Sequence, residues 1–235
     1  MTEKKRWIVV VIFSLAMAWM ESATVTYLRT LVGRIDPYQA RPLPISVGLG
    51  QAEIVREAAT LIMLFTVGWL AGRSRRSRLG YMLIAFGIWD IFYYVFLAMI
   101  SGWPHSIFDW DVLFLIPLPW WGPVIAPALI ALMMVIGGTL VRQPDQPDRA
   151  IWPSRGAWLM NIGGVFVALY AFMADTLRAA SEGLQAVRDV LPTSFNWPLY
   201  IIALVLMAAP IIDLTRKIWG VSRQRTAQKF DLINH

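Results

Sequence analysis

Eight side chains of this sequence have types and spacings suited to chemistry in a low-dielectric setting. Glu21, Glu57, Asp90 and His105 are three carboxylates and an imidazole, a donor set that suits Mn²⁺, Fe²⁺, Zn²⁺ or a harder cation, so a divalent metal is one expected cofactor. Asp90, Tyr94, Glu53, Asp109 and Asp111 form a second set that fits a relay of protons or cations, since lone carboxylates at membrane depth face protein or water. At helical spacing Glu53, Glu57 and Thr60 share one face, as do Asp90 and Tyr94.

Each group also has a purely structural reading. Glu53 fits a first-turn carboxylate paired with Arg56, three residues on. Asp90 fits a helix-to-helix bond to a tyrosine or to Arg29. His105 follows Trp103 and Pro104 and fits a solvated interfacial histidine. Asp109 and Asp111 flank Trp110 and fit caps or turns, or a landing place for a cation or a partner's basic patch. The chain has no HExxH, no Glu-x-x-His and no histidine beyond His105 and His235, which departs from familiar zinc and di-iron patterns and from bis-histidine haem. It has no cysteine, so no Cys-ligated cluster and no c-type haem attachment is expected. No lysine lies deep in an apolar run, so no retinal Schiff base is expected either. Eleven methionines scattered through apolar runs read as packing, without copper.

The elements that must position these groups are membrane helices. Of 235 residues, 57% are apolar and only 15% charged, and the mean hydropathy is +0.56. Soluble domains carry about 25% charged residues. The formal charge of +6 sits in short clusters between apolar runs, which reads as membrane topology and leaves no nucleic-acid footprint. Apolar runs over approximately 7–31, 54–72, 79–101, 120–141, 157–177 and 198–219 each approach the roughly 20 residues that cross the hydrocarbon layer. The expected fold is therefore an all-α integral membrane protein of about six transmembrane helices, a single polytopic domain over 1–235 without an internal repeat. The first run, after Lys4, Lys5 and Arg6, is longer than a cleaved signal's apolar core and reads as a retained signal-anchor.

Basic clusters set the orientation. Lys4–Arg6, Arg73–Arg78, Arg142 with Arg149 and Arg155, and Arg216 to Lys229 alternate with poorer loops, and no Lys or Arg occurs between 79 and 141. A bacterial-type inner membrane with both termini cytoplasmic satisfies all four clusters. Depth then follows from position. Glu21 lies 14 residues beyond Trp7, about 20 Å along a helix, and Asp90 lies near the middle of the third run. The carboxylates gather in the outer half.

Two further segments are expected outside the spans. Pro117, Pro119, Pro123 and Pro127 interrupt the long apolar stretch 112–141 and predict a re-entrant or interfacial segment before the fourth helix. Leu177, Ala180, Leu184, Val187 and Leu191, opposite Arg178, Glu182, Gln185 and Asp189, predict an amphipathic helix on the outer surface. Trp7, Trp103, Trp120, Trp121, Trp197 and Trp219 suit interfacial belts. Gly137, Gly138, Gly163 and Gly164 suit close helix approach, and Pro210 a kink.

In function, the carboxylates lead to a subunit of an energy-transducing or redox membrane complex, with an outer-half site for a cation or protons. A non-catalytic scaffold packing against other membrane subunits or pigments is a second expectation. A metal-dependent intramembrane enzyme for a lipid-soluble substrate is a third. The lipid bilayer and other membrane subunits are the expected partners, and nucleic acid is not.

Overall fold

A computed structural model describes residues 1–39, 47–142 and 152–220. Arg149, Arg223, Arg225 and Lys229 of the basic clusters lie outside these residues. Among the described residues the chain is helical, with one two-stranded hairpin. In order it forms α1 (Glu3–Leu31), α2 (Val47–Ala71), α3 (Arg75–Ser101), β1 (Trp110–Phe114), β2 (Trp120–Pro123), α4 (Ile125–Val141), α5 (Arg155–Ala180), α6 (Leu184–Asp189) and α7 (Trp197–Met207). After one turn residue at Ala208 the path of α7 stays helical, Trp197–Gly220 in all.

Among the described residues five helices are long and apolar enough to cross a membrane, namely α1, α2 from Gly48, α3, α5 and α7 with its continuation. The fourth expected span is shorter than its apolar run. Residues 120–123 are strand and α4 keeps 17 residues, about 25 Å of helix. Ends elsewhere follow local chemistry. Ser74 and Ser77 close a reciprocal capping box at the start of α3, and Gly102 ends it in the left-handed region at φ 75°. Thr2, Ser154 and Asn196 cap α1, α5 and α7 with side-chain oxygens.

α3 is the central helix and packs against α1, α2 and α4. Its contact with α4 is close because a Cβ on Gly80 would meet the carbonyl oxygen of Gly138, and one on Gly87 the carbonyl oxygen of Ala131. Gly164 approaches Ala203 in the same way between α5 and α7, while Gly163 faces open space and Gly137 has only ordinary contact with Ile211. Pro210 breaks the helix near Ala208, and the Asn161 amide on α5 donates to the Met207 carbonyl at 3.0 Å.

The proline-rich stretch is an antiparallel hairpin, with Trp110 opposite Pro123, Phe114 opposite Trp120, and a bulge between Val112 and Phe114. Prolines at 117 and 119 sit in the connection, where no ladder donor is needed. Phe114 stacks on Phe86 with ring centroids 6.4 Å apart, so the hairpin reaches 15 positions back from the end of α3 at Ser101. On its other side Trp120 stacks on Phe172 of α5. The hairpin is thus a wedge between the α1–α3 group and the α5–α7 pair. The expected amphipathic helix over 177–191 is two pieces: α5 runs on to Ala180, and Gly183, at φ 111°, turns the chain before the short α6.

Candidate functional site

A cavity of about 50 Å³ lies where α1, α2, α3 and β1 meet, lined by Glu21, Arg56, Glu57, Thr60, Trp89, Asp90, Tyr93, Tyr94 and Val112 to Phe114. α1 contributes Glu21 because its buried stripe, Val10, Ser14, Ala18, Glu21, Ser22, Val25 and Arg29, follows the helical repeat against α3. α2 contributes Arg56, Glu57 and Thr60 from adjoining turns, and α3 contributes Asp90, Tyr93 and Tyr94 in the same way. Ser22 ties α1 to α3, its hydroxyl 2.8 Å from the carbonyl of Tyr93.

Most polar atoms of this cluster are committed. Glu21 pairs with Arg56 on one oxygen and accepts the Thr60 hydroxyl on the other at 3.1 Å. Arg56 also grips Glu53, at 2.8 Å. Both oxygens of Glu57 accept the backbone N–H of Leu115, at 2.9 and 3.2 Å. The N–H just past the end of β1 has no ladder partner in the hairpin, and Glu57 supplies its acceptor. On α5 the Thr176 hydroxyl does the converse, donating to the Pro119 carbonyl at 2.7 Å. Asp111, 1% exposed, accepts from Arg29 at 2.8 Å and from its neighbour's N–H, that of Val112, at 2.9 Å. Arg29 in turn lies over the Trp103 ring, 4.3 Å from its centroid. Asp111 stands outside the spanning helices; burial pushes its carboxyl above the ordinary aspartate value, and the Arg29 guanidinium pulls against that shift.

Asp90 is the exception. It is 6% exposed and lines the cavity, yet its Oδ2 is buried without a hydrogen-bond partner among the described residues. The neighbouring indole N–H of Trp89 is also buried and unpartnered. One unpaired acceptor and one unpaired donor at a cavity of this volume are the setting in which buried proteins hold water.

The structure therefore brings together Glu21, Glu57, Asp90 and Tyr94 on one cavity. Glu53 joins them through Arg56. It places Asp111 nearby, as the partner of Arg29, which leaves Asp90 without the arginine that its depth suggested. His105 is elsewhere: its side chain is 74% exposed and does not line the cavity. Asp109 accepts the N–H groups of His105 and Ser106 at 2.7 and 3.1 Å, as a turn residue does. Among the described residues no group of three or more His, Asp or Glu side chains is arranged to hold a metal ion. Tyr93 and the β1 wall were not legible as site residues, because nothing in an apolar run announces that a hairpin will fold back onto a helix.

No family profile, no curated protein and no solved structure matches the chain.

Proposed function

We propose that this chain is an inner-membrane subunit of an energy-transducing or redox assembly, in which Asp90 takes up and gives back protons inside the membrane. The observation that carries this reading is the buried Asp90 Oδ2 with no partner, set in the wall of a small polar cavity. An unpaired carboxylate in such a place is neutralised by a proton or a cation, because burying the bare charge costs several kcal/mol, on the order of 5 or more. Five carboxylates, Glu21, Glu53, Glu57, Asp90 and Asp111, gather around two guanidiniums, Arg29 and Arg56. The cluster is short of positive charge.

The donor set favours protons over a divalent metal. Glu21 and Glu57 have both oxygens engaged and Asp111 is held by Arg29, so among the described residues the cavity wall itself presents one buried carboxylate oxygen without a partner, Asp90 Oδ2. A metal held by the protein needs about three such ligands or more. The volume of about 50 Å³ suits one or two waters and no organic substrate. In the exchange itself a proton passes from hydronium reaching the cavity to Asp90 Oδ2, breaking one O–H bond, forming another and leaving water, and it returns to water the same way.

The orientation belongs to the same proposal. Arg6 donates to the Ala71 carbonyl, Tyr81 to Glu3, and Gly80 lies against Arg142, so three basic clusters share one end of the bundle, which we read as cytoplasmic. Asp90 is 11 positions from Ser101 and 15 from Arg75, about 16 and 22 Å along the helix, and so falls in the outer half.

The test is proton stoichiometry. Purified protein in lipid-supplemented detergent, acidified through neutral pH with an indicator dye, should take up one proton more per chain than Asp90→Asn, which is expected to fold and assemble normally. Equal uptake would refute the proposal. A scaffold role is the second reading, supported by the broad exposed apolar faces of α2 and α7, of whose spanning windows 17% is buried, against 39% for α3. It predicts that Asp90→Asn leaves the activity of a copurifying complex unchanged.

A further inference from the structure

The polar groups around the cavity extend in one direction only. Toward the end of the bundle where α2 begins, Glu21 is followed by Arg56 and then by Glu53, a continuous chain of charged contacts whose side chains are 8%, 21% and 12% exposed. Toward the opposite end the chain of polar groups stops. Leu64, one turn beyond Thr60 on α2, is fully buried, as are Ala18 on α1 and Ile84 and Ala85 on α3, and together with Val10, Tyr81 and Trp89 they form one packed apolar cluster. Ser14 in this region returns its hydroxyl proton to the Val10 carbonyl at 2.8 Å and offers the cavity no donor. Phe114 and Phe86, stacked beside Trp89, close the hairpin side.

We infer that the Asp90 cavity is the blind inner end of a half-channel that admits water and protons only from the end where α2 begins, with Arg56 and Glu53 lining the way in. The inference rests on the proton reading of Asp90 for its purpose, though the access itself is a separate property. A polar chain lined by paired charges lets a proton approach as hydronium, while a layer of fully buried apolar side chains, Ala18, Leu64, Ile84 and Ala85, interrupts a water file, because water threading it would give up its hydrogen bonds. A one-sided well of this form exchanges protons with a single compartment. Delivery to the other side then requires a movement of the hairpin or a group contributed by a partner subunit.

The absence of cysteine makes the test clean, since any thiol is an introduced one. Single variants Glu53→Cys, Thr60→Cys, Leu64→Cys and Ala85→Cys are placed in sealed proteoliposomes of uniform orientation, with His105→Cys, 74% exposed, marking the outer face. Silver ions are applied to one face; the protein is then unfolded and the remaining thiols are counted with a maleimide mass tag. The expected result is loss of the tag at Glu53→Cys and Thr60→Cys from the His105 face alone, with full tagging of Leu64→Cys and Ala85→Cys from either face. Protection of Leu64→Cys or Ala85→Cys from the opposite face would show a through-passage and overturn the inference. Protection of Thr60→Cys from neither face would show a sealed cavity and overturn it as well. If Thr60→Cys fails to fold, Val112→Cys reads the same wall. Failure of the proton reading appears differently, as equal proton uptake by wild type and Asp90→Asn with these protections unchanged.

Discussion

Around Asp90 almost every polar atom has a stated partner, and this sets what each side chain does. Arg29 and Asp111 form a pair buried to 8% and 1% exposure. Removing one member leaves the other charged and alone, so Asp111→Asn should lower unfolding stability by about 3–5 kcal/mol in detergent. The double variant Arg29→Met with Asp111→Leu should recover much of that loss, and a thermal-unfolding cycle on the four proteins checks both. Arg56 bridges Glu21 and Glu53, so Arg56→Gln should strip counter-charge from both carboxylates and lower the thermal-unfolding midpoint in detergent relative to wild type. Asp90, Glu21, Glu57 and Tyr94 were legible in the sequence because an ionisable group in a span is costly and helical spacing fixes its face and depth. Of the two readings of His105, the exposure of its side chain fits the solvated interfacial histidine, and Asp109 holds its backbone N–H in a turn.

Helix ends and contacts obey the same local rules, with one element that periodicity does not foresee. The five long helices follow from their apolar runs, and side-chain caps at Thr2, Ser74, Ser154 and Asn196 start four of them. The hairpin is legible only as a place where a helix fails. Pro117, Pro119 and Pro123 break one, while Pro127 is tolerated in the first turn of α4; the hairpin that replaces the helix is held by partners distant in sequence, among them Glu57, Thr176 and Phe86. Thr176→Val should therefore orphan the Pro119 carbonyl and cost about 1–3 kcal/mol, seen as faster hydrogen exchange at 110–123. Glycines divide in the same manner. Gly138→Leu should force α3 from α4 and cost about 1–3 kcal/mol or more by overpacking, while Gly163→Ala, with open space around it, should stabilise α5 by up to about 1 kcal/mol. Sequence alone does not separate those two positions.

At the scale of the whole molecule the bundle is asymmetric along its axis. One end gathers Arg6, Arg78 and Arg142 around the starts of α1 and α3, the middle is the apolar cluster of Val10, Leu64, Ile84 and Ala85, and the other side of that cluster holds the cavity carboxylates and the hairpin. That order suits the exchange of protons with one compartment that we propose, and the proposal depends throughout on Asp90 carrying its proton inside the membrane. The most direct measurement is infrared difference spectroscopy of the lipid-reconstituted protein at neutral pH, wild type against Asp90→Asn. The account predicts a carbonyl stretch of a buried protonated carboxylic acid in the wild type that shifts in heavy water and is missing in Asp90→Asn. The same band in both proteins, or none in either, would contradict it.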